Sequence, residues 1–484
     1  MVAGNAYVLD GLGDADERIY WILGIALIWI IFGLISAYMV YSKVKSNITR
    51  WSKLTVFFWL PILLIGTTGG FIYYGFSIVP EERGPYLSWM ADPKTTMTVS
   101  FEAKVSADFD IEYKESSSSS FSNQKAVTRL EMREEDGYYH YTVNLTGLAA
   151  GTSYDYRIPG FAPDAKKFKT APSIDTGTFK FLLYGDSRET NKIFGNEHIP
   201  LMQNVLNTHN IDDLSFAINN GDLTYDHDYV NGWNLHFEAI RDIANRLPYF
   251  VASGNHEWNT DEPWWSTDNQ PAIDIQDFPI GNDSANDVYT LNETSFSFGF
   301  GSAFFIFLGY PHAGRNKPQY LNWLETQFKI GNGTIGDGYK FMFVFDHVPP
   351  FDRRSDGYND YEGMITTELP MYHQSGVDAM VSGHNHVLAW QNITWDPTKS
   401  GDTSGRNITY LISGAGGASL REPKYGTWQN TYDMGFYGKT VYCEKVNHYY
   451  IVEVDGTLGT TSFTCYTLGG EIREEASFTL KAFK

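Results

Sequence analysis

Cysteine is almost absent from this chain: its 484 residues include two, Cys443 and Cys465. Such scarcity excludes a disulfide-stapled mini-scaffold, a thiolate zinc site and an iron–sulfur cluster. Both cysteines lie in extended-looking segments. The pair is read as a disulfide, the alternative being two small buried thiols. Positive charge is scarce as well. Lys plus Arg number 36 against 57 Asp plus Glu, a formal net charge of -21. A field of that sign repels polyanions, so nucleic acid is not expected as a partner. Low-complexity sequence is confined to Ser116–Ser120, which reads as an exposed hairpin tip. Aromatic residues in alternating stretches exclude a disordered chain.

Charge is missing altogether from two N-terminal runs, residues 19–41 and 54–78. Each is longer than the ~20 residues needed to cross a bilayer. Tyr20, Trp21, Tyr41, Trp51, Tyr73 and Tyr74 lie near their ends, where an interfacial aromatic belt would sit. Between the runs stand Lys43, Lys45, Arg50 and Lys53 without an acid, while Asp10, Asp14, Asp16 and Glu17 precede them. The positive-inside rule makes the connecting loop cytoplasmic. Residues 1–18 are then a short extracytoplasmic tail and 19–79 a two-helix transmembrane hairpin. The expectation is a multi-pass cell-membrane protein in contact with membrane lipid, its large C-terminal part outside. Acceptor sequons at Asn144, Asn282, Asn292, Asn332, Asn392 and Asn407 agree with exposure to glycosylation.

Residues 84–172 alternate in short strand-like runs with turn signals between them, which predicts a small all-β sandwich. From 177 onward the pattern changes. Apolar strands such as FKFLLY, LSFAIN, PYFVAS and KFMFVF are separated by helical stretches around 196–210, 233–247 and 319–328. Alternation of this kind predicts an α/β sandwich on mixed sheets, residues 177–484.

Five of those strands end in residues that bind metals. They give Asp186 in YGDSR, Asp222 and Tyr225 in NGDLTY, Asn255-His256-Glu257 in GNHE, His347 in FDHVPP, and His384 with His386 in GHNH. Carboxylate, amide oxygen, imidazole and phenolate together suit hard or borderline cations such as ferric iron, zinc and manganese. Singly, each has a plain structural role: Gly-Asp caps turns, and a lone histidine is usually a core residue. The ordered set, one cluster at each strand exit, points instead to a metal centre.

In that order the motifs GD, GDxxY, GNHE, VxxH and GHxH, with Gly414–Gly417 as GAGG, resemble the calcineurin-like metallophosphoesterases and, within them, purple acid phosphatases. Trp89, Leu145–Leu148 and Tyr154–Tyr156 in the preceding sandwich resemble a fibronectin type III domain, which the plant-type enzymes also carry. The resemblance implies that Asp186, Tyr225 and His386 hold one metal, normally Fe(III). Asn255, His347 and His384 would hold a divalent ion, Zn, Mn or Fe, and Asp222 would bridge the two. His256 would contact phosphate or protonate the leaving oxygen. A two-cation centre clamps an anionic ester and supplies hydroxide near neutral pH.

Two regions depart from the family pattern, Asp186-Ser187-Arg188 and the stretch after His347. Arg188 stands where purple enzymes usually carry Gly; it either clamps substrate phosphate or pairs with a surface acid. No histidine follows His347 in DRRSDGYNDYEG, so Arg353, Arg354 or Tyr358 would line the site. His227, just past Tyr225, reads as an exposed loop residue, the alternative being a side chain that reaches the pocket. The expected function is hydrolysis of phosphomonoesters of small molecules or phosphoproteins by metal-activated hydroxide. A phosphodiesterase acting on nucleotides or lipid headgroups is the nearest alternative, and a non-catalytic receptor or adhesion module the alternative from another class.

Overall fold

A computed structural model describes residues 82–132, 137–172, 177–188, 197–225, 230–257, 295–309, 318–353, 361–396, 398, 407–429 and 435–482. The two apolar N-terminal runs fall outside these residues. Among the described residues no helix is long and apolar enough to cross a membrane.

Eight antiparallel strands build the first domain. They are β1 (Glu82–Ser88), β2 (Thr96–Ala103), β3 (Asp110–Glu115), β4 (Asn123–Ala126), β5 (Thr128–Met132), β6 (Tyr139–Thr146), β7 (Ser153–Ile158) and β8 (Ala162–Lys169). Two four-stranded sheets result, in the orders β1-β2-β6-β5 and β4-β3-β7-β8. Rings join them: Phe101 of β2 stacks on Tyr141 at 4.9 Å and meets Phe161 at 4.2 Å. The serine run turns between β3 and β4, largely exposed as expected.

The second domain has two mixed sheets. Its strands are β9 (Thr178–Tyr184), β10 (Phe216–Asn219), β11 (Tyr249–Val251), β12 (Ser295–Phe300), β13 (Ala303–Leu308), β14 (Phe341–Asp346), β15 (Ala379–Ser382), β16 (Leu388–Trp395), β17 (Asn407–Ser413), β18 (Thr427–Gln429), β19 (Phe436–Glu444), β20 (His448–Asp455), β21 (Thr460–Thr467) and β22 (Phe478–Lys481). The six-stranded sheet runs β11-β10-β9-β20-β21-β22 and the eight-stranded one β12-β13-β14-β15-β17-β16-β19-β18. β9, β10 and β11 are mutually parallel, as are β13, β14, β15 and β17. Strands buried on both faces read as unbroken apolar runs, and β14 (FMFVFD) is buried throughout.

Alternation along β13 and β14 divides the core. Phe305, Phe307, Phe343 and Phe345 face the other sheet, with Phe305 5.5 Å from Phe181 and 5.3 Å from Phe216. Phe304, Ile306, Met342 and Val344 point the opposite way. Helix α3 covers that face; α1 (His198–Thr208), α2 (Val230–Ala244), α3 (Pro318–Gly331) and α4 (Leu369–Ser375) are the α-helices of the described residues. The first three lie where the periodicity places them. α4 and the π-helical turn Met364–Glu368 before it were not foreseen. Thr366, Thr367 and Pro370 are poor helix formers, so burial of Met364, Ile365, Leu369 and Tyr372 forms this segment against its propensity.

The cysteines are not a disulfide. Cys443 on β19 packs with Val387, Ala389 and Ile412, whereas Cys465 on β21 belongs to the core between the sheets. The two sit in separate packing clusters, and each is a free, buried thiol. Of the sequons, Asn282 and Asn292 lie outside the described residues and Asn407 is exposed at the start of β17. Asn144, Asn332 and Asn392 are half-buried, their side chains hydrogen-bonded within the fold.

The sandwich is fused to the second domain. Trp89, just after β1, is fully buried against Phe216, Phe250, Phe298 and Phe300 at ring distances of 5.2–5.9 Å. At the other end of β1 Arg83 pairs with Glu102 at 2.8 Å, both side chains wholly buried. Arg83 Nε donates to Asn234 of α2 at 2.8 Å, and the guanidinium lies 3.8 Å from the Tyr138 ring centroid. Removing one partner of such a pair strands a charge away from water, at a cost of about 3–5 kcal/mol. Glu102→Ala is therefore expected to lower the urea midpoint sharply. Glu453→Ala breaks the exposed Lys180–Glu453 pair and should cost less than ~1 kcal/mol. Equal losses in the two variants would show that Arg83 does not depend on Glu102.

Candidate metal centre

Ligands gather where the carboxyl ends of β9, β10 and β11 meet those of β14 and β15. Asp186 follows β9, Asp222 follows β10 and Asn255 begins the 3-10 turn after β11; His347 follows β14, and His384 and His386 follow β15. Strand ends of this kind are where α/β folds build crevices. Asp186, Asp222, His384 and His386 have φ of 53°, 54°, 64° and 50°. Among the described residues these four alone combine positive φ with a side chain other than glycine. Such backbone costs about 1–3 kcal/mol per residue and persists where surrounding structure imposes it.

Glycine makes the close approach feasible. A Cβ on Gly383 would lie 2.2 Å from Asp186 Oδ2, and one on Gly414 2.9 Å from the same oxygen. The first glycine of the GAGG run is thus required by Asp186.

Four electron-pair donors converge on one point. Asp222 Oδ1 lies 3.2 Å from His347 Nε2, which is 3.2 Å from Asn255 Oδ1, itself 3.0 Å from His384 Nδ1. His347 donates its Nδ1–H to Asn220 O at 2.6 Å, leaving Nε2 for a cation. Next to this group His386 Nε2 lies 3.3 Å from Asp186 Oδ1, its Nδ1 bonded to Ser419 O at 2.8 Å. Single atoms of Asp186, Asp222 and His347 all fall within 4.8 Å of one another. The Asp186 carboxylate also accepts the His384 N–H at 2.8–2.9 Å. Two lobes sharing Asp222 fit a pair of cations, and the donor types suit hard or borderline ions.

Tyr225 stands at the mouth, its ring 5.9 Å from that of His256 and with the Arg188 guanidinium 5.3 Å from its centroid. His256 donates Nδ1–H to Tyr225 O at 2.5 Å, which leaves Nε2 toward Asp222 Oδ2, 3.9 Å away. Arg188 does not pair with a surface acid: its Nε approaches Asp222, which is buried, at 3.6 Å. Arg353 is buried, its N–H bonded to Asn385 Oδ1. His227, Arg354 and Tyr358 lie outside the described residues. Tyr361, not singled out from the sequence, places its hydroxyl 3.5 Å from His384 Nε2.

Sequence reasoning also gave Glu257 no role beyond its place in GNHE. Its buried carboxylate accepts the N–H groups of Asp222, Leu223 and Gly254 at 2.6–3.0 Å, clamping the Asp222 turn to the Asn255 turn. Burial, with Asp222 alongside, pushes its pKa up to about 7. An acid adjoining a ligand pair was the available signal.

Charge couples these groups. Burial opposes ionisation of Asp222, yet His347, His256 and Arg188 hold it well below the usual carboxylate range. Burial would lower His347, but Asp222 and Asp186 override it and keep the ring protonated above the ordinary histidine range. A cation must displace that proton, so affinity should strengthen as pH rises and weaken as it falls. Calorimetry of Zn or Mn binding at pH 7 in buffers of different ionisation heat is expected to show about one proton released per centre. His347→Asn should abolish the release. Uptake without proton release would mean that His347 is not a ligand.

Residues 83–179 match the family described as purple acid phosphatase, N-terminal domain, and residues 179–388 match the calcineurin-like phosphoesterases. Probable inactive purple acid phosphatase 24 of Arabidopsis thaliana is 29% identical over 356 residues, 62% of this chain and 53% of its own. Purple acid phosphatase 18 of the same plant is 26% identical over 259 residues, 52% of each. The chain spans about half the length of these relatives. Purple acid phosphatase PPD1 from yellow lupin (Lupinus luteus) seeds superposes with a TM-score of 0.65 at 15% identity, covering 83% of this chain and 74% of that one. PhoD superposes at 0.57 with 10% identity, over 84% and 91%. At those identities the solved structures speak for the fold. With the two family segments in order and the ligands assembled at the strand ends, the chain is a purple acid phosphatase-like member of the calcineurin-like phosphoesterases, a family of hydrolases.

Proposed function

We propose that this chain hydrolyses phosphomonoesters with a dinuclear centre, acting outside the cytosol from a membrane anchor. The run of 3.0–3.2 Å approaches from Asp222 through His347 and Asn255 to His384 carries the reading. Asp186, His386 and Tyr225 would hold an Fe(III) in the neighbouring lobe, and Asn255, His347 and His384 a divalent ion. When bound, the pair supplies Lewis acidity and a nucleophile near neutral pH. The protein's part is positioning and proton transfer. Glu257 fixes the turn that bears Asp222, and the histidines are oriented by backbone carbonyls. With its Nδ1–H engaged by Tyr225 O, His256 carries a proton on Nε2 only as the imidazolium, and that form would give Nε2–H to the ester oxygen as the P–O bond breaks. Burial lowers its pKa although Asp222 pulls it upward, so the acid form belongs to acidic pH. The two-sheet sandwich supports a fibronectin type III-like accessory domain.

Some relatives carry the word inactive in their names, which makes a non-catalytic binding module the second reading. Metal-replete wild type and Asn255→Ala, assayed on a phosphomonoester, separate the two. Loss of a ligand should cost at least ~100-fold in turnover with the fold retained. Iron-loaded protein should also show a visible phenolate-to-iron band that Tyr225→Phe removes. A wild type that binds two metals and turns over no ester would establish the non-catalytic reading.

The anchoring half of the proposal rests on the uncharged runs at 19–41 and 54–78 and the basic residues between them. Protease added to intact cells should cleave after residue 84. Protection until the membrane is broken would reverse the orientation.

A further inference from the structure

Arg188 and His256 come from different loops, one after β9 and one after β11, yet approach the same atom. Arg188 Nε lies 3.6 Å from Asp222 Oδ2 and His256 Nε2 lies 3.9 Å from it. The other carboxylate oxygen points inward, 3.2 Å from His347 Nε2. Tyr225 stands beside both donors, and its ring supports the guanidinium by cation–π contact. Their side chains are 14% and 28% exposed, against 0–1% for Asp186, Asp222 and His347. Among the described residues Arg188 Nε–H is buried without a hydrogen-bond acceptor, since 3.6 Å is beyond the length of an N–H···O bond. Arg188 therefore flanks the open side of the ligand cage as a donor with an unmet bond, and His256 Nε2 joins it there as a second donor when the ring is doubly protonated.

We propose that Arg188 is a specificity-determining residue that reads the third terminal oxygen of a phosphomonoester; this rests on the phosphatase function above. A monoester dianion has three terminal oxygens and a diester has two. The cage offers two cation positions, which account for two oxygens of either substrate. The third oxygen of a monoester carries charge and falls to the protein's own donors, where a guanidinium makes short, charge-assisted bonds. A diester presents there an esterified oxygen, a poor acceptor, whose substituent meets Arg188 and the Tyr225 ring. The same contact serves inorganic phosphate, so product affinity and monoester preference share one cause. The rival for this position is a purely structural Arg188 that only neutralises Asp222. That role would act on every ester alike.

Two measurements on the full chain separate these. In metal-replete protein, Arg188→Ala is expected to weaken inorganic phosphate binding, read by calorimetry, by roughly 10–100-fold, the worth of one charge-assisted contact. Binding of dimethyl phosphate should change much less. The ratio of kcat/KM for a phenyl phosphate monoester to that for the matching diester should fall by a similar factor. Arg188→Lys keeps the charge facing Asp222, so it guards against a folding defect in the alanine variant. Lacking the planar fork, it should still show a lower ratio than wild type. Metal content and melting temperature are followed in each variant. Unchanged phosphate affinity, or mono- and diester rates falling together, would overturn the proposal. A wild type that hydrolyses neither ester sinks the phosphatase function instead, and phosphate affinity then still decides whether Arg188 binds the anion.

Discussion

A carboxylate withdrawn from water must be met by positive charge, and at Asp222 that charge comes from His347, His256 and Arg188, on three separate segments. In a chain with net charge -21, this gathering of cationic groups is local and deliberate in its geometry. One oxygen of Asp222 faces the buried ligands and the other the open side of the cage. Everything at the centre is arranged around that division: candidate metal ligands on the buried side, Arg188 and His256 on the open one. Glu257, bonded to three backbone N–H groups, keeps the turn from rotating and exchanging the two roles.

The backbone tells the same story. Positive φ at Asp186, Asp222, His384 and His386 turns each chain sharply as it leaves its strand. Without that turn the side chains would continue along the strand direction and the ligand atoms would diverge. The stored strain is offset by the packing of two sheets whose facing rings interlock. A rigid phenylalanine-rich core is thus a condition for the centre, because a softer one would let the strand ends relax.

Much of this was readable from the sequence because it is local. Apolar strands ending in Gly-Asp or Gly-His announce both the sheet and the ligand within ten residues. Asp186, Asp222, Asn255, His347, His384 and His386 were found this way, and the structure brings all six together. What escaped is what depends on distant pairing. Glu257 acts on residues 34 and 35 positions earlier. Cys443 and Cys465 resemble a bonding pair until the fold seats them in separate packing clusters. The role of Arg188 turned on which acid it meets, a question of three dimensions. α4 was hidden because its local propensities oppose the helix that tertiary burial forms.

Fusion of the sandwich to the phosphoesterase-like domain has a consequence for how the molecule can be divided. The sequence changes character near residue 173, which invites a cut there. Yet Trp89 is seated among Phe216, Phe250, Phe298 and Phe300, and Arg83 is held by Asn234 across the same seam. A truncated catalytic fragment would carry an open phenylalanine socket and the isolated sandwich an exposed tryptophan, surfaces of the kind that drive aggregation. The boundary written in the sequence is a boundary of topology, and the unit that folds and keeps its solubility extends across it.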